Sequence, residues 1–258
     1  MTLLNKSGDA LTVNANGTFG FSTRVTSGTG YAVSVGTQPK GQTCVVPNGS
    51  GVVAASNVIS IAVTCSRIGY AYVTNSSDNT VSQFSIGADG TLTPMAAASI
   101  GTGSGPLSIA LDPTGNYAYV ANISSSTVSQ FTIGADGALT PMATASVSTG
   151  ISPQSVTVDP SGKYAYVTNR GASSVSQYTI GADGALTPMP VASVGAGILP
   201  ETITVDATGK YAYVTNWASN TVSQYVIDAS GALTPMATAS VNTGNQPTSI
   251  TTRYAATH

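Results

Sequence analysis

One motif returns four times at constant spacing, and it confines the chain to repeat architectures. Tyr-Ala-Tyr-Val begins at Tyr70, Tyr117, Tyr164 and Tyr211, 47 residues apart each time. Asn75, Asn122, Asn169 and Asn216 keep that spacing, as do Pro94, Pro141, Pro188 and Pro235. Segments 128–142 and 175–189 differ at a single position. A period of this length belongs to propeller blades, solenoids or helical arrays.

Local pattern chooses among these. The third repeat holds four short runs rich in Val, Ile, Thr and Tyr: Gln154–Val158, Lys163–Asn169, Ser174–Ile180 and Ala185–Val191. They are read as strands A to D. Asp159-Pro160-Ser161-Gly162 separates A from B, with Pro presetting one turn dihedral and Gly tolerating a positive φ. Gly181-Ala182-Asp183-Gly184 separates C from D and is a hairpin signal of the Asp-Gly kind. Ser82, Phe84 and Ile86 alternate with Val81, Gln83 and Ser85, a strand period rather than a helical one. Four strands per repeat is a β-propeller blade, so the expected fold is all-β.

Counting strands extends the expectation. The first repeat opens directly at strand B, and Gln246–Thr252 aligns with strand A of a fifth repeat. B-C-D, three complete sets and a final A make four blades, with the C-terminal strand closing the first blade and covering two exposed edges. The alternative is a piece of a longer propeller. Residues 1–66 do not follow the repeat and are expected to form a small β-sandwich-like domain ahead of a propeller at 67–258. Its strands are expected at Ala10–Asn14, Thr18–Ser22, Gly30–Gly36, Gln42–Val46 and Asn57–Thr64. A Cys44–Cys65 disulfide would staple a domain too small to be stable on its core alone; two buried thiols are the alternative. Met1–Lys6 lacks the apolar core of a secretion signal, so either a signal is missing from this chain or the protein is not exported.

The Tyr-Ala-Tyr-Val-Thr-Asn block, with its Asp-Pro-x-Gly and Gly-Ala-Asp-Gly turns, resembles the YVTN-type repeat of lactonase-like bacterial β-propellers over about residues 69–254. The stretch ANGTFGFSTRVTSGTGYAVSVGTQPKGQTC, closing at VTCS, resembles small β modules that precede such propellers in secreted bacterial proteins. The resemblance implies an extracellular, cell-surface or periplasmic protein. The family includes 6-phosphogluconolactonase-like and muconate-lactonising enzymes with seven-bladed rings. This chain departs from them in blade number and in its shortage of His, Arg and Glu.

That shortage is visible in the composition. Charged residues make up 7% of the 258, against about a quarter in ordinary domains, and the net charge is −2. No basic footprint for nucleic acid exists, and no run approaches the roughly 18 apolar residues of a membrane span. The single His is His258, read as a disordered terminal residue. Nucleophile-elbow, zinc-protease, P-loop and Cys/His metal motifs are absent, so no cofactor or metal is expected. Asn-x-Ser/Thr triplets at Asn5, Asn16, Asn48, Asn75 and Asn122 are what an Asn-, Ser- and Thr-rich chain produces by chance. Six of the ten acids fall on two repeated turn positions, Asp112/Asp159/Asp206 and Asp89/Asp136/Asp183, and are expected to cap turn N–H groups. The repeated Asn75, Asn122, Asn169 and Asn216 either cap their own loops or converge on a hard cation such as Ca²⁺.

Alternating hairpins put the A–B and C–D turns on one face and the B–C and D–A loops on the other. The first face is nearly identical in every repeat; the second varies. Ser76, Ile123, Arg170 and Trp217 are equivalent there, as are Leu107, Gln154, Glu201 and Thr248, and Ser104, Ile151, Ile198 and Asn245. Candidate ligand-binding residues are therefore Arg170, Trp217, Glu201, Asp78, Ile123 and Gln154. The leading expectation is a surface binding scaffold for a carbohydrate or protein ligand. The alternative is a lactone hydrolase, with Glu201 as base and Arg170 as oxyanion or carboxylate clamp.

Overall fold

The computed structural model describes all residues except 7, 40, 88 and 254–258, so His258 lies outside the described residues. Among the described residues every regular element is a strand, and no helix is long and apolar enough to cross a membrane. The chain divides into two compact units: Met1–Tyr70 with Ser85–Thr93, and Ala71–Phe84 with Pro94–His258.

The first unit carries β1 (Thr2–Asn5), β2 (Ala10–Thr12), β3 (Gly30–Thr37), β4 (Gln42–Val45), β5 (Ser50–Val52) and β6 (Thr64–Arg67). They form a four-stranded sheet, β2-β1-β3-β5, and a two-stranded sheet, β4-β6. Cys44 and Cys65 lie directly opposite each other in the β4–β6 ladder and are joined by a disulfide. Two expected strands are absent. Thr18–Ser22 is irregular, and Asp9 bonds the chain just beyond it, accepting from Thr23 N and Oγ1 at 2.7 Å each. Those bonds, the side-chain one first, hold the Asp9 carboxyl below the usual carboxylate range. Residues 57–63 are also irregular, because the Asn48 amide binds Ser60 O and Ala62 N in place of a neighbouring strand. The short strands β1 and β5 were not expected, being too brief for alternation to register.

The repeats build blades. The first is a three-stranded sheet of β7 (Gly69–Asn75), β8 (Thr80–Ile86) and β9 (Leu92–Gly101). The second runs β10 (Pro106–Leu111), β11 (Tyr117–Asn122), β12 (Thr127–Ile133) and β13 (Leu139–Ser148). The third runs β14 (Pro153–Val158), β15 (Tyr164–Asn169), β16 (Ser174–Ile180) and β17 (Leu186–Gly195). The fourth runs β18 (Pro200–Val205), β19 (Tyr211–Asn216), β20 (Thr221–Ile227) and β21 (Leu233–Asn242). Strands within a blade are antiparallel and sequential, and the inner strands β10, β14 and β18 are neighbours in that order.

The expected four-blade closure is not formed. Residues 247–253 belong to no strand, and the first blade keeps three strands. Thr202 Oγ1 instead donates to Thr248 O at 2.8 Å, so the segment runs beside β18 as the start of a next blade.

Both faces of each inner blade are buried, because each blade lies between two others. Ala118, Val120, Phe131 and Leu139 pack with Val81 of the preceding blade, whereas Tyr119, Ala121 and Val128 pack with the following one. Burying such side chains contributes about 1.5–3 kcal/mol each. The junctions also carry buried polar links. β12 and β13 lose register between Ser129 and Phe131, leaving strand-D carbonyls unpaired at a bulge. Gln130 sits at that point, fully buried; its Nε2 donates to Thr144 O at 2.8 Å. Its Oε1 accepts from Leu186 N of the next blade at 2.6 Å. Gln83 and Gln177 repeat the arrangement with Ala97 and Leu139, and with Val191 and Leu233. Tyr72, Tyr119 and Tyr166 donate their hydroxyls across the same junctions to Gly137 O, Gly184 O and Gly231 O at 2.6–2.7 Å.

The repeated acids are turn groups. Asp159 Oδ1 accepts from Lys163 N and Tyr164 N, and its Oδ2 accepts from Ser161 N and Oγ, all within 2.9 Å. Asp112 and Asp206 make the same four bonds. In the C–D hairpins, Asp89 takes Thr91 Oγ1 and N, which hold its carboxyl below the usual range.

Two predictions follow from the junctions. Gln130→Ala leaves a buried N–H and C=O without partners and is expected to cost about 2–4 kcal/mol in urea denaturation. Burial, aided by the Asp112 and Asp159 charges, raises the Tyr119 and Tyr166 hydroxyls above the ordinary value; burial alone pushes Tyr178 up to about 12 and raises Tyr225. The folded state thus holds these protons more tightly than the unfolded one. The stabilisation is complete below about pH 10 and is lost as pH rises through the folded values. Phenolate absorbance should show these four of the 12 tyrosines ionising only together with loss of near-ultraviolet circular dichroism.

Candidate functional site on the variable loops

The B–C and D–A loops of each blade are tied by the same backbone bonds, which fix where the variable side chains emerge. Ile123 N donates to Gly105 O at 2.9 Å, Arg170 N to Ser152 O at 2.8 Å, and Trp217 N to Leu199 O at 2.9 Å. The acceptor residue is left-handed every time, Gly105 at φ 67°, Ser152 at 56° and Leu199 at 52°, and the equivalent Gln246 is left-handed too, at 53°. A second left-handed position repeats in the B–C loop, at Asn79, Ser126, Ser173 and Asn220. Asn79 and Asn220 use their Oδ1 to accept from Gly105 N and Gln246 N at 2.8 and 2.7 Å. The strand-ending Asn residues act as loop caps: Asn169 Nδ2 donates to Ser174 and Ser176, as Asn75, Asn122 and Asn216 do to their equivalents. Among the described residues no three His, Cys, Asp or Glu converge as metal ligands.

On this scaffold three of the six candidates meet. Arg170 Nε lies 2.7 Å from Glu201 Oε1, joining the third blade's B–C loop to the fourth blade's inner strand. The Arg170 guanidinium carbon lies 5.7 Å from the Trp217 ring centroid, within cation–π range. Glu201 is held through its backbone as well, because Thr168 Oγ1 donates to its carbonyl at 2.7 Å. Its side chain is 13% exposed and that of Arg170 34%, so the pair is reachable from solvent but partly desolvated. Beside it a shallow depression of about 250 Å³ is lined by Trp217, Ala218, Asn220, Asn245 and Gln246. One planar aromatic ring, amide groups and an ion pair are the groups that recognise a polyhydroxylated ring.

The other candidates are spread along the same loops. Ile123 and Gln154 are half-buried and occupy the Arg170 and Glu201 positions one blade earlier, so that junction carries an uncharged pair. Asp78 is exposed in the β7–β8 loop of the first blade, outside the cluster. Asn220 and Gln246 had not been expected at the site. Their signal was an Asn at a left-handed template position, which L side chains other than Asn and Asp adopt reluctantly.

Stacked four-stranded blades with repeated junctions define a β-propeller type of protein. The chain belongs to the family described as Lactonase, 7-bladed beta-propeller, whose model matches residues 69–251. Comparison with curated proteins finds no match. Among solved structures, a candidate 6-phosphogluconolactonase from Bacteroides fragilis is 25% identical, with a TM-score of 0.58 over 66% of this chain and 50% of that one. A second candidate 6-phosphogluconolactonase, from Bacteroides uniformis, is 18% identical, with a TM-score of 0.62 over 84% and 66%. The periplasmic gluconolactonase of Pseudomonas aeruginosa is 24% identical, with a TM-score of 0.52 over 60% and 47%. The chain thus spans about half to two thirds of the length of these structures.

Leu199 is the bulkiest residue at its repeated left-handed position, where the second blade has Gly105. A left-handed L-residue costs about 1–2 kcal/mol, partly offset in Gly by the entropy of the unfolded chain. Leu199→Gly is expected to raise stability by about 0.5–1 kcal/mol in thermal denaturation.

Proposed function

We propose that the blade unit is a lactonase-type module that takes a sugar-acid lactone at the Arg170–Glu201–Trp217 cluster. Family membership supports the reaction class, and the contact of all three side chains supports the place. In this reading the sugar ring lies on the Trp217 face. Arg170 keeps guanidinium N–H groups beyond Nε for the lactone carbonyl oxygen as negative charge develops there. Glu201 Oε1 fixes Arg170, and Oε2 accepts a proton from the attacking water. The acyl C–O bond of the ring then breaks, and its alkoxide takes a proton to leave the open hydroxy acid.

A second reading, binding of a carbohydrate or protein ligand without turnover, is favoured by one observation. The single acid at the site is already bonded to Arg170, and the neighbouring depression is shallow and amide-lined. In either reading the Cys44–Cys65 disulfide supports a location outside the cytoplasm. It also supports a stapled module at 1–66 preceding a propeller portion at 67–258.

Trp217 is the only tryptophan in the chain, so its fluorescence reports on the site directly. The full chain is expected to hydrolyse glucono-δ-lactone or its 6-phosphate, with Glu201→Gln lowering the rate by about 10²–10⁴ and Arg170→Ala by about 10²–10³. Fluorescence change without turnover, abolished by Arg170→Ala, selects the binding reading. Neither turnover nor a fluorescence response removes the site.

A further inference from the structure

Lys6 and Arg24, two of the eight cations in this sparsely charged chain, line one depression of the first unit. It holds about 300 Å³, and Asn5, Thr26 and Thr29 are among its other lining residues. Three local devices bring these side chains together. Asn5 ends β1, and Lys6 N donates to Ala32 O of β3 at 2.9 Å, so both residues are anchored to the sheet. Asp9 accepts from Thr23 N and Oγ1 at 2.7 Å each, which fixes the backbone next to Arg24. The turn at 26–29 is closed by Thr29 N donating to Thr26 O at 3.1 Å, with Gly28 at φ 83°.

Charge favours an anion in this depression. Lys6 and Arg24 are exposed, and among the described residues neither forms an ion pair; the pair that is formed joins Arg170 to Glu201. Asp9, the acid bonded to the neighbouring Thr23, spends both carboxylate oxygens on the Ser22–Thr23 segment. Two cations on one small depression repel each other, and an anion between them replaces that repulsion with attraction. The planar guanidinium and the ammonium both suit a carboxylate.

A second observation bears on the rest of the ligand. Asn5 is 8% exposed, and its Oδ1 is buried with no hydrogen-bond partner among the described residues. A buried acceptor in that state favours a ligand that brings a donor. The Thr26 and Thr29 hydroxyls, which contact each other at 3.3 Å, can exchange bonds with further hydroxyls. A bare carboxylate has no donor to give, whereas a hydroxylated acid carries both groups.

We propose that this depression binds a sugar acid, with its carboxylate between Lys6 and Arg24 and a ring hydroxyl donating to the Asn5 side chain. Its volume lies at the lower end of the about 300–1,000 Å³ of ligand cavities, which suits a single sugar ring. The site belongs to the first unit and shares no residue with the Arg170–Glu201–Trp217 cluster, so it stands whether or not that cluster turns over a lactone.

Titration calorimetry on the full chain at low ionic strength tests the site, with glucuronate, glucose, acetate and trigalacturonate as probes. Glucuronate is expected to bind, and glucose and acetate to bind about tenfold more weakly or less. Lys6→Ala and Arg24→Ala, both exposed changes, are each expected to weaken glucuronate about fivefold to tenfold, and Arg170→Ala to leave it unchanged. Raising the salt to about 0.5 M is expected to weaken it as well, by screening the two cations. Tighter binding of trigalacturonate assigns the site to an acidic polysaccharide, and equal binding to a free sugar acid. No heat with glucuronate, equal affinity for acetate, or binding lost through Arg170→Ala and kept in Arg24→Ala would overturn the proposal.

Discussion

The buried glutamine of strand C, opposite the strand-D bulge, holds the blades in register, and the rest of the array depends on it. Gln83, Gln130 and Gln177 each spend one end of the amide on their own blade and the other on the next. An apolar contact would tolerate sliding of one flat sheet over another. A two-ended amide with distances of 2.6–3.0 Å does not, because displacement strands a donor and an acceptor in a dry junction. The tyrosine hydroxyls on strand B reinforce the same register, so each junction is specified twice.

That construction explains the division of the surface. Turns on one face are consumed by structure: Asp112, Asp159 and Asp206 each satisfy three backbone N–H groups and a hydroxyl. On the other face the loops are held by backbone bonds and by the repeated Asn caps, which leave the side chains at the Arg170 and Glu201 positions unconstrained. Variation therefore collects there, and an Arg, a Glu and a Trp from two successive blades come into contact without disturbing the blade template. The same division governs charge. Most acids in this sparsely charged chain are bound inside turns, and the Arg170–Glu201 pair is among the few left to act on a ligand.

Much of this was legible in the sequence. Period, strand number per repeat and turn chemistry could be read because each rests on local preferences repeated four times. Strand bounds missed mainly at strand D, which runs ten residues in β13, β17 and β21 because the bulge at glutamine bends and lengthens it. The first unit was less legible. Without repetition there was nothing to average over, and Asn48 and Asp9 diverted two segments that otherwise look like strands. The candidate site was half legible: topology put Arg170, Glu201 and Trp217 on one face, but Asn220 and Gln246 emerged only from the loop geometry.

The sequence by itself determined the blade, since alternation, Asp-Pro-Gly and Asp-Gly turns, and the 47-residue period are properties of neighbours along the chain. It also determined which loops vary. Only the tertiary structure decided which varying residues touch, because residues 31 and 47 apart become neighbours through the stacking of blades. It also decided the fate of the terminal segment. Residues 247–253 have the pattern of an inner strand, but a strand is completed by the edge it meets, and here they run beside β18 without joining a sheet.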